Sequence, residues 1–392
     1  MRDPWNDSEL ARRFAAHART SATRAPLHSA LAGIVLRRPA LSGLLAHAPE
    51  TRRLPVLLLA AIHFLVLDEP EHPLASWFPD LCETPRSPDD PELAPTVVDF
   101  VERRAPAVLE LVASRQVQTN EVGRCALLVP AFSLVAAGTG PIAQVDVGSS
   151  AGLTLLWPRF SYRFDGGRTV GSPGSVSPSV VLDCATRGDA PLDLDTLVLP
   201  DAPVRVGIDI DPIDVSDPVE ARWLQACCWP DQADRLARLR SAVDLAREDP
   251  PTVRRGDAVE TVADVVDGVE GDLHPVVTTT WALNYLPATR RTEFVAVLDR
   301  LGARRDLSWV FAESPALTPG LPHATSHADG DLTAIALVTW RDGVRSVTHL
   351  GVAHPHGYWI HWSGSSQPQP SDSSDSVAAR RSANRTEPNS GS

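Results

Sequence analysis

The apolar pattern of this 392-residue chain changes character at about residue 141. Before that point, inward-facing side chains recur at helical spacing: Leu10, Phe14 and His17, then Leu27, Leu31, Ile34 and Val35. The stretch 54–67 is apolar on most sides, which predicts a helix central to a core. Further helices are predicted over 95–115 and 121–137, with a Pro/Asp-rich loop over 84–95. Strand-like alternation begins only after residue 141. Strands are predicted at 142–147, 204–210, 252–254, 275–280, 307–312, 333–340 and 345–352. Helices are predicted at 150–160, 217–229, 233–247, 259–266 and 288–301. Residues 161–203, rich in Gly, Pro and Ser, read as an inserted hairpin-like excursion. The last two strands read as an antiparallel pair across Asp342-Gly343. Alternating strands and helices imply an α/β fold, with a parallel sheet covered on both faces. The expected organisation is a helical cap domain (1–140), an α/β domain (141–362) and a disordered tail (363–392). The tail has almost no large apolar side chains with which to offset its ordering entropy.

Composition removes several chemistries. All 36 basic residues are Arg, and the chain contains no Lys. A Schiff-base lysine enzyme, a Walker-A loop and a protein kinase each need a Lys that is absent. Net charge is −13, and residues 141–362 hold 19 Arg against 30 acids. An acidic main domain argues against nucleic-acid binding, which needs clustered cations. The five cysteines include no C-x-x-C pair, and an odd number fits no disulfide framework, so a reduced, cytoplasmic location is expected. The first residues, MRDPWNDSEL, do not read as a signal peptide, and the 14-residue run 54–67, with His63 inside it, is too short to span a bilayer. No membrane partner is expected, and nothing in the sequence specifies an oligomeric state.

The segment 145–153, VDVGSSAGL, reads as a strand, a glycine turn and a helix start. Glycines permit a tight turn and close backbone approach, and a helix start offers free N–H groups. Two sharp patterns overlap here. One is D-x-G-x-x-x-G (Asp146, Gly148, Gly152), which suits a nucleoside cofactor. The other is G-x-S-x-G with Ser150 as a hydrolase nucleophile, served by a later His such as His354 or His356. The bland alternative is a structural turn. Context favours the first, because the loop follows the first strand and no oxyanion-type loop precedes it. The next two strands end in Asp209 and Asp257, placed for ribose hydroxyls and for an adenine amino group respectively. Either Asp read alone is usually a helix N-cap; two in register with a Gly loop make a better signal.

These residues resemble the class I S-adenosylmethionine-dependent methyltransferases: VDVGSSAG (145–152), VGIDIDP (206–212), RGDA (255–258) and TWALNYLPATRRTEFVAVLDRL (280–301). Ser150 stands at a position usually held by Gly, and residues 161–203 must loop out between the first two motifs. The whole chain more narrowly resembles an uncharacterised bacterial domain-of-unknown-function family. The matching stretches are VQTNEVGR (117–124), DVGSSAGL (146–153), GIDIDPIDVSDP (207–218), WPDQADRL (229–236), TWALNYL (280–286) and HPHG (354–357).

The methyltransferase resemblance implies a Rossmann-like sheet and S-adenosylmethionine as cofactor. Asp146, Gly148, Ser150 and Gly152 would hold its amino-acid part, Asp209 its ribose, and Asp257 with Ala258 its adenine. Asn284 and Tyr285 are the candidate catalytic residues. Asn120, Glu121, Arg124 and Trp281 are the candidate walls for a small-molecule acceptor. No metal cluster is assigned, and His354-Pro355-His356-Gly357 reads as a turn before a last strand. The rival readings are a serine hydrolase using Ser150 and a non-catalytic nucleoside-binding protein.

Overall fold

The structure is a computed structural model and describes residues 7–171, 180–188, 192–317, 332–363 and 369–370. The first 140 residues form helices α1 (Asp7–Ser21), α2 (Pro26–Leu36), α3 (Pro39–Ser42), α4 (Pro55–Asp68), α5 (Leu93–Arg103), α6 (Ala105–Ser114) and α7 (Cys125–Thr139). Proline stands in the first turn of α2, α3, α4 and α6, where a missing N–H costs nothing. The single helix expected over 95–115 is two. Pro106 lacks the N–H that would bond back across the junction, so the chain breaks at Arg104. α4 is buried on nearly every side, as its uniform apolarity requires. Its one basic side chain, His63, bonds to Asp80 Oδ2 at 3.1 Å through Nε2 and to the Ala226 carbonyl at 3.2 Å through Nδ1.

The rest is built on one large mixed sheet with helices around it. Its strands are β1 (Ile142–Val147), β2 (Ser161–Phe164), β3 (Thr169–Gly171), β4 (Val181–Arg187), β5 (Val204–Asp209), β6 (Thr252–Arg255), β7 (His274–Thr280), β8 (Leu307–Glu313), β9 (Thr333–Arg341), β10 (Val344–Ala353) and β11 (Trp359–Trp362). Helices α8 (Pro218–Ala226), α9 (Ala233–Glu248), α10 (Ala258–Asp267) and α11 (Ala288–Gly302) fill the intervals. The spatial order is β3-β2-β4-β11-β10-β9-β8-β7-β1-β5-β6. The block β6-β5-β1-β7-β8 is parallel throughout. β9 and β10 form the expected antiparallel hairpin across Asp342-Gly343, whose φ values of 50° and 76° suit a tight turn of inverted hand.

Within 161–203, β2 and β3 pair antiparallel as a hairpin, and β4 pairs in parallel with both β2 and β11, which joins the segment to the main sheet. β11 is only four residues long and carries two Trp and a His, so no alternation marks it in the sequence. The helix expected over 150–160 is a 3-10 segment, Leu153–Arg159. Pro158 cannot donate within an α-helix there, and the segment opens at Gly152 in a left-handed conformation. The reading of 363–392 as disordered falls outside the described residues, except for Ser363 and the pair Gln369–Pro370 beside β10.

Pleating sends alternate side chains to two cores. Val276, Val310 and Ile335 face the N-terminal helices together with α8 and α9. Val145, Val147, Val277, Trp309 and Phe311 face α10 and α11. The first cluster runs from Leu10 to Ile360, so the helical segment and the sheet share one apolar interior. The stretch Val122–Thr139 is long and apolar enough to cross a membrane by length and composition, and 67% of it is buried inside the fold.

The His63–Asp80 pair joins α4 to the loop after it, with side chains 3% and 1% exposed. Replacing His63 by Leu leaves the buried Asp80 Oδ2 without its histidine partner, with Arg240 3.7 Å away. Urea unfolding of His63→Leu should show a loss of about 1–3 kcal/mol, the cost of a buried polar atom left unpaired.

Candidate functional site

The chain builds β1, β5 and β6 outward in one direction, then returns to lay β7 and β8 on the other side of β1. The reversal puts a crevice at the carboxyl ends of β1 and β7, where open α/β sheets bind ligands. A cavity of about 490 Å³ occupies that position. One wall is the strand tips: Gly148 and Ser150 after β1, Asp209 and Ile210 after β5, Gly256, Asp257 and Ala258 after β6, and Trp281, Ala282, Asn284, Tyr285 and Leu286 after β7. The opposite wall comes from the helical segment and its neighbours: Arg24, Val56, Gln116 to Thr119, Arg124, Trp229, Gln232, Arg235 and His356.

Backbone strain marks both sides of the reversal. Ser150 (φ 54°) and Trp281 (φ 55°) adopt left-handed conformations that side chains other than glycine rarely take. Among the described residues, the other two such cases, Asp165 and Asp342, precede glycines in hairpin turns and need no further account. Such strain persists only where surrounding bonds enforce it. The Ser150 N–H donates to Asp209 Oδ2 at 2.7 Å, and its hydroxyl donates to Gln118 Oε1. The Trp281 indole donates to Thr333 Oγ1 at 2.7 Å, and its backbone N–H to the Ala312 carbonyl at 3.0 Å. Gly148 is required because a Cβ there would stand 2.6 Å from that of Ala282.

The predicted site residues separate into wall and support. Gly148, Ser150, Asp209, Asp257, Ala258, Arg124, Trp281, Asn284 and Tyr285 line the cavity. Asp146, Gly152, Asn120 and Glu121 do not. Asp146 lies beneath the loop and accepts the hydroxyls of Thr154 and Thr278, each at 2.6 Å. Burial pushes its carboxyl up to about 6, against the pull of those two hydroxyls. A Cβ on Gly152 would meet Val253 at 2.7 Å, so this glycine serves packing against β6. Asn120 clamps the loop: its amide donates to the Ser149 carbonyl at 2.8 Å and accepts from the Leu153 N–H at 2.9 Å. Glu121 is buried, bonds to Arg235 and lies 3.6 Å from Arg238. Burial raises its pKa, but the charges of Arg235, Arg238 and Arg124 outweigh this and hold it low.

Asp209 accepts the N–H groups of Ser150 and Asp211 on its two oxygens. Asp257 caps α10 through the N–H groups of Val259 and Glu260, and also bonds to Arg290. The capping role available to any Asp after a strand is therefore real here, and the same residue still reaches the cavity. Tyr285 is 71% exposed at the mouth. His354 and His356 form the turn between β10 and β11: the His356 N–H donates to His354 Nδ1 at 3.1 Å. Burial, with Arg235 and Arg124 alongside, holds the His356 imidazole well below its ordinary pKa. Among the described residues, no group of three His, Cys, Asp or Glu is placed to hold a metal.

Sequence reasoning missed Arg24, Gln118, Trp229, Gln232 and Arg235 as wall residues. Gln118 and the 229–236 segment lay inside stretches that carried the family resemblance; Arg24 had no local signal. It also missed Glu313, the last residue of β8. Fully buried, Glu313 accepts the N–H groups of Ala282 and Leu283 at 3.1 and 3.3 Å and so fixes the turn behind Trp281. Burial raises its carboxyl from 4.5 to about 7, against those N–H groups and the nearby Arg124.

A carboxyl whose folded pKa is raised keeps its proton in the native state at a pH where the unfolded chain has lost it. Stability then falls as pH rises from about 4.5 to about 7 and levels off above that. Glu313→Gln keeps both accepted N–H bonds and removes the titration. Asp146, also raised, titrates in both proteins, so the readout is the difference: in denaturation across this range the wild type should lose on the order of 3 kcal/mol more than the variant.

None of the curated proteins compared with this chain matches it. A family profile does match, over residues 9–362, and it covers the helical segment, the sheet and every cavity residue named above. The chain belongs to the family described as "Uncharacterized protein conserved in bacteria (DUF2332)".

Proposed function

We propose that this chain is an S-adenosylmethionine-dependent methyltransferase of Rossmann-like fold, acting on a small molecule. The observation that carries the reading is the succession Gly148, Asp209, Asp257-Ala258 across three adjoining strand tips, all on one cavity at the sheet's reversal point. The volume lies within the about 300–1,000 Å³ of small-molecule and cofactor sites. Each Asp209 oxygen accepts one N–H, and an ionised carboxylate offers about four lone-pair sites, so capacity remains for ribose hydroxyls. Ala258 and Ile210 offer small and apolar surface beside Asp257 for a base.

S-adenosylmethionine supplies an electrophilic methyl group on a sulfonium. The protein's share is to align the partners and exclude water, which needs neither lysine nor metal. The helical wall supplies the exclusion. Trp281, Asn284 and Tyr285 stand where an acceptor would enter. The acidic charge of residues 141–362 supports a small acceptor over a nucleic acid. A cytoplasmic location belongs to the same proposal, supported by five free cysteines. Against the serine-hydrolase reading, the Ser150 hydroxyl donates to the amide oxygen of Gln118, which cannot act as a base, rather than to His356 on the same cavity.

Calorimetry should detect S-adenosylmethionine and S-adenosylhomocysteine binding to the intact chain. Asp209→Ala should weaken both about 10- to 100-fold, the worth of hydrogen bonds to a charged group. Unchanged affinity in the variant refutes the ribose assignment. No heat in the wild type refutes the methyltransferase reading, and labelling of Ser150 by a fluorophosphonate would favour the hydrolase.

A further inference from the structure

Arg124 is a buried cation that no acid contacts among the described residues, although the charges of Glu121 and Glu313 reach it through space. It is 7% exposed and lines the cavity. Its Nε donates to the Pro355 carbonyl at 2.9 Å and its Nη1 to the Thr280 carbonyl at 2.8 Å. Among the described residues it forms no ion pair. Glu121, three positions away, is engaged by Arg235 and Arg238 and lies 3.5 Å from His356 Nδ1. Glu313 spends one oxygen on the Ala282 and Leu283 N–H groups, and its raised pKa keeps it partly protonated near neutrality. Arginine stays charged in proteins, and a buried charge persists when something pairs with it. Two of the five guanidinium N–H groups are used; the three left are all on the terminal nitrogens, the edge that meets a carboxylate in bidentate fashion.

Position sharpens this. The acids lie over the tips of β5 and β6, while Arg124 is fixed at the tip of β7. Three strand spacings of about 4.8 Å separate β6 from β7, so the cavity is polarised over roughly 14 Å.

We infer that Arg124 is the receptor for a carboxylate of the bound ligand. Two sources share that chemistry: the amino-acid carboxylate of the cofactor, on the reading above, or a carboxylate on the acceptor. Matched pairs separate them, titrated into the intact chain. The first pair is S-adenosylhomocysteine against 5′-methylthioadenosine, which lacks the amino-acid part. The second is phenylacetate against phenylacetamide, sized for the Trp281 and Tyr285 end, with and without 5′-methylthioadenosine.

The wild type should prefer the carboxylate-bearing member of one pair by about tenfold or more. Arg124→Gln should abolish that preference, and Arg124→Lys, which keeps the charge without the fork, should restore part of it. Preference in the first pair assigns the carboxylate to the cofactor; preference in the second assigns it to the acceptor. Absence of preference in both wild-type pairs overturns the inference, whether or not Arg124→Gln folds. So does a preference undiminished in a folded Arg124→Gln. If neither nucleoside binds, the methyltransferase reading falls alone, because the phenylacetate pair without nucleoside still tests Arg124.

Discussion

Four buried residues in one five-residue segment hold this molecule together at its site. Asn120 clamps the loop after β1, Glu121 pairs with Arg235 on α9, and Arg124 bonds to the end of β7 and to the β10–β11 turn. Gly123 packs so closely that a Cβ would stand 2.3 Å from the His356 carbonyl oxygen. A buried polar group left without a partner costs more than a made hydrogen bond gains, so each of these side chains dictates where a distant element must lie. The helical segment and the sheet are thereby fixed to each other through polar contacts as well as through a shared apolar core.

The cavity inherits its character from that arrangement. Its floor is strained at Ser150 and Trp281, just after the two strands that flank the reversal of the sheet. Carboxyls stabilise both strained turns: Asp209, on the cavity wall, holds Ser150, and the buried Glu313 holds the residues after Trp281. Within a strongly acidic chain, the opposite wall carries arginines. The charge of the whole protein bears on a macromolecule at the surface but says little about the charge a small ligand meets inside the cavity, because a low-dielectric wall makes the nearest groups count most.

Much of this was legible beforehand. Strand and helix positions after residue 141 follow local periodicity, and the glycine loop with Asp209 and Asp257 follows from turn and capping chemistry within a few residues. Departures came where a local rule met a remote one. The short β11 found its partner β4 more than 170 residues earlier in the chain, and nothing in its four residues announces a strand. Asp146 carried the same motif as Gly148, yet strand pleating turned it inward to Thr154 and Thr278.

The sequence alone determined the order of elements, the position of the loop at the first strand and the absence of lysine chemistry, since these depend on neighbours in the chain or on composition. Tertiary structure decided which polar residues became wall and which became support. It left Arg124 bonded to two carbonyls, with no acid in contact, while giving Glu121 to Arg235 and Arg238. The physical reason is that charge compensation depends on distances between groups far apart in sequence, and folding fixes those distances only after packing has chosen which faces meet.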